Sequence, residues 1–406
     1  MSVWDDLTGQ PAAVEVFRAA AGSGSAPGER SAATSASDSM THAWLITGPP
    51  GSGRSNLAYA FASALLCRQG GCGECADCRQ VAARTHPDLS VLATERVIIS
   101  IDEVRSLVSS SQFSPSVSRY RVVVIEDADR MVERTSNVLL KALEEPPERT
   151  VWILCAPSEA DLLPTIRSRV RSVRLRVPSV SDVAGLLERR DGVDPEVALV
   201  AAREAQSHIG MAHRLATDED ARRRRSETVD LALSVATVGE AVAGAARLLE
   251  VAGADAKAIT EQRDAEEREH ALRSLGVEPG QAVPMALRGQ IKALEDDQKR
   301  RATRSLRDGL DRILTDLQSV YRDLVLLQLG ADVELVNASI EERLRALAEA
   351  LDPVSVLSSL DALTDARRRI QANVAPTLAL EAMLVTLAQS RAQAHVPSRP
   401  SRKASV

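Results

Sequence analysis

Aromatic residues are scarce in this chain of 406: phenylalanine, tyrosine and tryptophan occur three times each. That leaves few platforms on which the bases of a single strand could stack. Lysine is scarce as well, occurring only at 141, 257, 292, 299 and 403, so nearly all the basic charge is arginine. The formal net charge is −6, which gives no global electrostatic pull toward nucleic acid. No apolar run approaches the ~20 residues of a membrane-spanning helix, and Met1–Leu7 lacks signal-peptide character. A soluble, cytoplasmic protein of two or three domains, with no membrane partner, is expected from these absences and this length.

Against that background one stretch stands out: Gly48-Pro49-Pro50-Gly51-Ser52-Gly53-Arg54-Ser55. The apolar run Ala43–Ile46 leads into it, and a helix-compatible run from Asn56 to Cys67 leaves it. A strand, a glycine-rich turn and a helix N-terminus form the context of a phosphate-binding P-loop. Every fixed position of Gly-x-x-x-x-Gly-Lys-Ser/Thr is met except that Arg54 stands where lysine belongs. A guanidinium is broad and planar where an ammonium is a compact point charge. The loop is therefore expected to hold ATP or ADP, while hydrolysis is in question; the competing reading is a glycine-rich turn without nucleotide.

Four of the five cysteines, Cys67, Cys72, Cys75 and Cys78, follow the loop helix within a short reach. Four thiolates in a closed tetrahedral set favour structural zinc, which orders a loop that lacks a core. A disulfide or a redox Cys-x-x-Cys pair are the alternatives. Cys155 lies in an apolar run and reads as packing.

Farther on, Val97–Ile101 is a short β-rich run and Asp102–Ser111 is helical in character. Arg121–Ile125 reads as a buried parallel strand ending in Glu126-Asp127-Ala128-Asp129. Carboxylates at such a strand end hold magnesium beside a P-loop, although they also suit the first turn of a helix. Thr150–Cys155 is the next buried strand, and Ser172–Val177 is strand-like. Helices are expected at Val180–Arg190 and Pro195–Gln206, and from Thr228 onward no strand is visible. Arg222–Arg225 reads as a solvated helix face. Leu306, Leu310, Ile313, Leu317, Val320, Tyr321, Leu324 and Leu327 recur as one face of a long amphipathic helix. Shorter helices are expected at Ile340–Leu351, Val354–Ile370 and Ala375–Ser390. Ala21–Met40 reads as a flexible insertion, Asp255–Asp296 as charged and aperiodic, and His395–Val406 as a disordered tail.

Taken together, the motifs resemble the clamp-loader branch of the AAA+ class, and within it the delta prime family of bacterial DNA polymerase III. The residues carrying the resemblance are Asp6-Leu7-Thr8-Gly9-Gln10, His42-Ala43-Trp44-Leu45, the four-cysteine insert, Leu139 through Glu148 and Leu162 through Arg169. It implies an α/β P-loop AAA+ domain at 1–178, a parallel sheet with helices on both faces, carrying the zinc insert at 67–78 and the insertion at 21–40. A small helical lid at 179–225, an all-α collar at 226–392 and a tail at 393–406 would follow. It also implies a stator subunit that helps load the sliding clamp onto primed DNA within a hetero-pentamer of gamma/tau and delta subunits. The clamp and primer-template DNA would be reached through that assembly.

Arg169 would be an arginine finger offered in trans to a neighbouring ATPase subunit, and Arg214 resembles the class's second sensor arginine. The gamma/tau motor is the alternative. It carries a P-loop lysine and an Asp-Glu pair, whereas this chain has Arg54 and the reversed Glu126-Asp127. These departures imply a weak or inactive ATPase, with magnesium uncertain, in a subunit that is not itself a polymerase.

Overall fold

The computed structural model describes residues 2–22, 40–94, 98–274 and 288–394. Most of the insertion at 21–40, the middle of the 255–296 segment and the stretch 395–406 lie outside the described residues. The chain divides into two units, Met1–Thr217 and Asp218–Val406.

In the first unit, α1 (Pro11–Gly22) precedes β1 (Ala43–Thr47), α2 (Arg54–Leu66), α3 (Ala76–Ala82), β2 (Leu89–Leu92) and α4 (Ile101–Ser111). Next come β3 (Arg121–Ile125), α5 (Glu133–Glu144), β4 (Thr150–Ala156), α6 (Pro164–Arg167) and β5 (Arg171–Arg174). Three helices close it: α7 (Val180–Asp191), α8 (Pro195–Glu204) and α9 (Ile209–Thr217). The five strands are all parallel, in the order β2-β3-β4-β1-β5. β1, β3 and β4 are buried along their whole length, which is why they read as unbroken apolar runs.

Alternate residues of each central strand face opposite layers. Trp44, Ile46, Val122, Val124, Val151 and Ile153 pack with Phe17, Leu57 and Phe61 of α1 and α2. Ala43, Leu45, Val123, Ile125, Trp152 and Leu154 pack with Val104, Leu107, Leu139 and Leu143 of α4 and α5. Three of the chain's few rings meet in the first layer: Phe17 lies 4.8 Å from Trp44 and 4.6 Å from Phe61 between centroids. The aromatic residues are thus spent largely on the core. Parallel pairing also brings the C-terminal ends of β1, β3 and β4 to one edge, with Thr47 opposite Ala156 and Ile125 opposite Leu154.

Of the β-rich run Val97–Ile101, the described residues 98–101 belong to no strand of the sheet. Ile98 is exposed and Ile99 makes a single bridge to Met131, while the edge strand is Leu89–Leu92. A β-branched run competes here with a short Leu-Ser-Val-Leu segment whose pairing partner, Val122–Ile125, is fixed by the central strands.

The second unit contains α10 (Glu219–Ser234), α11 (Val238–Ser274), α12 (Arg288–Leu329), α13 (Glu341–Ala350), α14 (Pro353–Gln371) and α15 (Pro376–Ala394). No strand occurs in it among the described residues. Its core runs from Val229 to Ala388 and includes Leu248, Leu317, Tyr321, Leu324, Leu363, Leu380 and Leu384. The periodic face from Leu306 to Leu327 is the core face of α12, but that helix begins at Arg288. Its first turns run beside α11, tied by Arg301 to Asp264 and Glu267 and by Arg268 to Glu295. Ion pairs rather than an apolar stripe hold this part, which explains its lack of periodicity.

The arginine run on α10 is likewise not one solvated face. Arg222 and Arg223 are exposed, but Arg224 meets Asp255 at 3.0 Å and Arg225 meets Asp316 at 3.3 Å. Arg225 also donates to Asn337, which with Val336 caps the fully buried Asp323 through backbone and side-chain N–H groups.

Candidate nucleotide site and metal centre

The P-loop residues lie where the motif places them, between β1 and α2. Gly51 and Gly53 adopt left-handed φ angles of 78° and 90°, which side chains other than glycine rarely accept. At Gly51 the neighbourhood also demands glycine: a Cβ would stand 2.3 Å from Cγ of His208. The Ile209 N–H, at the start of α9, donates to the Gly51 carbonyl at 3.2 Å. Pro49 accepts from the Ser52 N–H at 3.2 Å, and Gln10 braces the loop from outside. The Gln10 amide donates to Arg176 O at 2.8 Å and more weakly to Ser52 O at 3.4 Å, while its oxygen accepts from the Arg176 N–H. Pro50 completes the turn. Gly53 caps α2 with no side chain bonded to the helix end.

Arg54 does not project along the loop axis into open space. Its Nη1 donates to the Gly48 carbonyl at 3.0 Å. Ser55 and Tyr59, one helical turn apart on α2, both reach Glu126 at the end of β3. The Ser55 hydroxyl donates to Oε2 at 2.9 Å and the Tyr59 hydroxyl to Oε1 at 2.6 Å. Arg84 completes the arrangement, its Nη2 lying 3.1 Å from Oε1 and its guanidinium 4.9 Å from the Tyr59 ring centroid. Burial, reinforced by the Glu126 carboxylate, raises the Tyr59 pKa well above its usual value, so the phenol remains a donor. Asp127, in a left-handed conformation, lies 3.4 Å from Arg130. Burial and the Asp127 charge raise the pKa of Asp129, whose Oδ1 is enclosed without a hydrogen-bond partner.

Magnesium beside a P-loop is held by the hydroxyl that ends the loop and a strand-end carboxylate, in this chain Ser55 and Glu126. Here the two are bonded to each other, and Glu126 is further engaged by Tyr59 and Arg84. A donating hydroxyl keeps its lone pairs, so this pairing leaves the Ser55 oxygen able to ligate an ion.

The four cysteines fit a metal. Their sulfurs all lie within 4.8 Å of one another, with Cys67 3.8 Å from Cys72 and 3.6 Å from Cys75. Sulfurs on a tetrahedral zinc stand roughly this far apart, given a Zn–S bond of about 2.3 Å. Cys67 belongs to the set despite its close sequence spacing to Cys72. Backbone N–H groups point at the sulfurs: Gln69 to Cys67 and Gly73 to Cys78 at 3.3 Å, and Cys78 to Cys75 at 3.4 Å. For Cys67, burial favours the thiol, but N–H groups of Cys72, Gly71 and Gln69 outweigh it and bring the pKa down to about 6. The cluster reaches the nucleotide side through α3. Cys75 caps that helix, Cys78 lies inside it, and Arg84 sits in the turn that ends it, its N–H donating to Val81 O at 3.0 Å. Cys155 is buried elsewhere, in β4.

Arg169 lies apart from these groups, beyond α6. Its Nε donates to Glu144 at 2.7 Å and its Nη1 to Thr165 O and the Ser168 hydroxyl, which holds the partly exposed guanidinium at the C-terminal end of α5. Arg214 lies on α9, the helix whose N-terminus touches the P-loop.

Sequence reasoning missed Tyr59, Arg84 and His208, and it quoted Gln10 without giving it a role. It also missed Asp88, which is fully buried. That carboxylate accepts from the Ser116, Val117 and Ser118 N–H groups at 2.6–2.8 Å and from the Ser116 hydroxyl. None of these residues carries a local signature; a buried aspartate beside Pro87 reads in sequence as a turn.

Residues 29–179 match the family model described as "DNA polymerase III, delta subunit", and 303–389 match the model of its C-terminal part. The chain is similar to DNA polymerase III subunit delta′ of Pseudomonas aeruginosa, 38% identical over 164 residues, or 39% of this chain and 50% of the relative. It is similar to the Escherichia coli K12 subunit delta′ at 33% over 200 residues, or 48% of this chain and 60% of that one. Mycobacterium tuberculosis subunit gamma/tau is 32% identical over 155 residues, covering 37% of this chain and 27% of that one. The chain therefore spans about half to three-fifths of the delta′ relatives it matches. The two segments that match models of the DNA polymerase III delta-subunit family hold the P-loop, the cysteine cluster and the last helices.

Proposed function

We propose that the chain is a stator, a delta′-type subunit of a DNA polymerase III clamp loader that helps place a sliding clamp on primed DNA. The observation that carries this reading is the condition of the P-loop. Arg54 turns back onto the Gly48 carbonyl and Glu126 is already paired with Arg84, so the groups that would grip a γ-phosphate and its ion are engaged within the chain. The chain touches ATP chemistry instead through Arg169, presented to nucleotide bound by a neighbouring gamma/tau subunit, where a guanidinium neutralises charge developing on the γ-phosphate. Gamma/tau and delta are its partners in a pentameric assembly, with the clamp and primer-template DNA contacted by the whole. Zinc on Cys67, Cys72, Cys75 and Cys78 is structural, because all four ligand positions are protein sulfurs. Gly48–Ser55 retain ATP or ADP as a bound ligand, with Arg214 approaching from α9.

The motor alternative draws on the similarity to gamma/tau and requires Arg54 and Glu126 to act as substitutes for lysine and aspartate. ATP turnover separates the two. The isolated chain is expected to show no steady hydrolysis. Arg169→Ala is expected to depress the DNA-stimulated turnover of the assembly reconstituted with gamma/tau and delta, by on the order of 10³-fold at the one site it serves. Steady turnover by the isolated chain would favour the motor, and an assembly indifferent to Arg169→Ala would remove the finger.

A further inference from the structure

We propose that a cleft of the first unit, beside the cysteine cluster, binds the phosphodiester backbone of a single nucleic-acid strand through Arg18, Arg68 and Arg119. The inference is independent of the stator reading, which leaves DNA to the assembly as a whole. It gives this chain a contact of its own.

The three arginines are far apart in the sequence and line one cavity of about 1350 Å³. Arg18 lies on α1, Arg68 follows α2 and Arg119 precedes β3. All three are exposed, and none has a carboxylate partner among the described residues. Exposed arginines elsewhere, such as Arg105, Arg247 and Arg345, meet a carboxylate on the surface. The one carboxylate in the lining, Asp77, lies 3.8 Å from the His86 ring.

The backbone beneath these side chains is held in place. N–H groups of Ser116, Val117 and Ser118 converge on Asp88, and the Ser118 hydroxyl donates to Leu66 O at 3.1 Å, tying the segment before Arg119 to the end of α2. Arg68 sits in a turn closed on the cluster: the Gln69 N–H donates to the Cys67 sulfur at 3.3 Å and the Gly70 N–H to Cys67 O at 3.1 Å. Two of the guanidiniums lie over rings, Arg18 at 5.7 Å from the Trp4 centroid and Arg119 at 5.4 Å from that of Tyr120. A guanidinium held flat on a ring loses less freedom when its edge N–H groups take an anion.

Charge and shape together choose the ligand. Zinc with four thiolates carries a formal charge of about −2, so the cluster and Asp77 offset the three guanidiniums, and the cleft is no sink for a free small anion. What remains is directional, three N–H forks on three segments, suited to the oxygens of successive phosphates. The cavity exceeds the roughly 300–1,000 Å³ of a small-ligand pocket. Its rim at Arg68, Gln69, Gly70 and Val117 is exposed, so a chain can pass through. A flexible strand can bend into such a concave site, whereas a rigid duplex would meet only its rim. Trp4 is buried and Tyr120 half-buried, each with a guanidinium over it, so bases find no stacking face and the contact reads backbone rather than sequence.

The test is fluorescence anisotropy of a labelled oligo-dT strand titrated with the full, zinc-loaded chain over a series of salt concentrations. The wild-type chain is expected to bind with a slope of log K against log salt near −2, about −0.7 for each of three phosphates. Arg68→Ala with Arg119→Ala is expected to weaken binding at least about tenfold at low salt and to bring the slope to about −0.7, at unchanged zinc content and melting temperature. Arg68→Ala alone, at a side chain with no hydrogen-bond or ionic partner to lose, is expected to take about 0.7 from the slope. Failure of oligo-dT to bind at low salt would overturn the proposal, as would alanine variants with the wild-type affinity and slope. Binding of the dA·dT duplex at least as tight as that of the single strand would overturn the single-strand assignment. Tighter binding of a poly-glutamate peptide by the same arginines would overturn it in favour of an acidic protein partner. No gamma/tau or delta subunit enters these measurements, so each failure leaves the stator reading standing.

Discussion

Asp88 is fully buried yet ionised, because three backbone N–H groups and a serine hydroxyl converge on it and Arg121 lies 3.6 Å away. Burial raises its pKa, but the N–H groups of Ser116, Ser118 and Val117 prevail and bring it down to about 2. The carboxylate therefore contributes stability that is complete above the unfolded carboxyl value near pH 4 and is lost as the pH falls through about 2. Asp88→Asn is expected to lower the unfolding free energy at neutral pH by about 2 kcal/mol, since an amide can accept on only one of its two polar atoms. It should also flatten the acid limb of stability against pH, as measured by denaturant titration at a series of pH values. The effect cannot be read from the sequence, where Asp88 precedes its partners by a whole helix and loop.

At the scale of elements, the cysteine cluster and α3 form one piece. The Cys75 sulfur accepts the Cys78 N–H as the helix cap and also faces Cys67. Cys75→Ala therefore removes a metal ligand and weakens a helix start together. The expected outcome is a fall from one bound zinc per chain to a substoichiometric amount by elemental analysis, with a lower melting temperature. Structural zinc supplies folding free energy directly, so chelation of the wild-type chain should produce the same loss. The four cysteines were legible because their chemistry is encoded by type and spacing. The edge strand Leu89–Leu92 was not, because four residues without alternation carry little periodic signal, and their pairing with Val122–Ile125 is a long-range event.

For the whole molecule, the division into two units has a direct consequence. Among the described residues, the helical core of the second unit is built from side chains between Val229 and Ala388. A fragment spanning 218–394 is expected to fold alone, with a helical circular dichroism spectrum and a cooperative thermal transition. A non-cooperative melt would show that the core needs the first unit. Its polar interior favours one arrangement: Asp323 accepts from Asn337 and Val336, and Arg391 donates to the Ala232 and Val235 carbonyls at the end of α10.

The P-loop, the four thiolates, the three central strands and most helices are written in residue order alone, because each rests on local spacing, on period or on unbroken apolar runs. Arg54 in place of lysine and the Glu126-Asp127 order were equally legible, being identities at motif positions. Folding in three dimensions is what brings Arg84 and Tyr59 to Glu126, turns Arg54 onto Gly48, and takes Arg224 and Arg225 off the solvated face. All of these but the Arg54–Gly48 bond, which lies within one loop, join segments distant in the chain, and a charged side chain chooses its partner by distance and burial, which residue order does not specify.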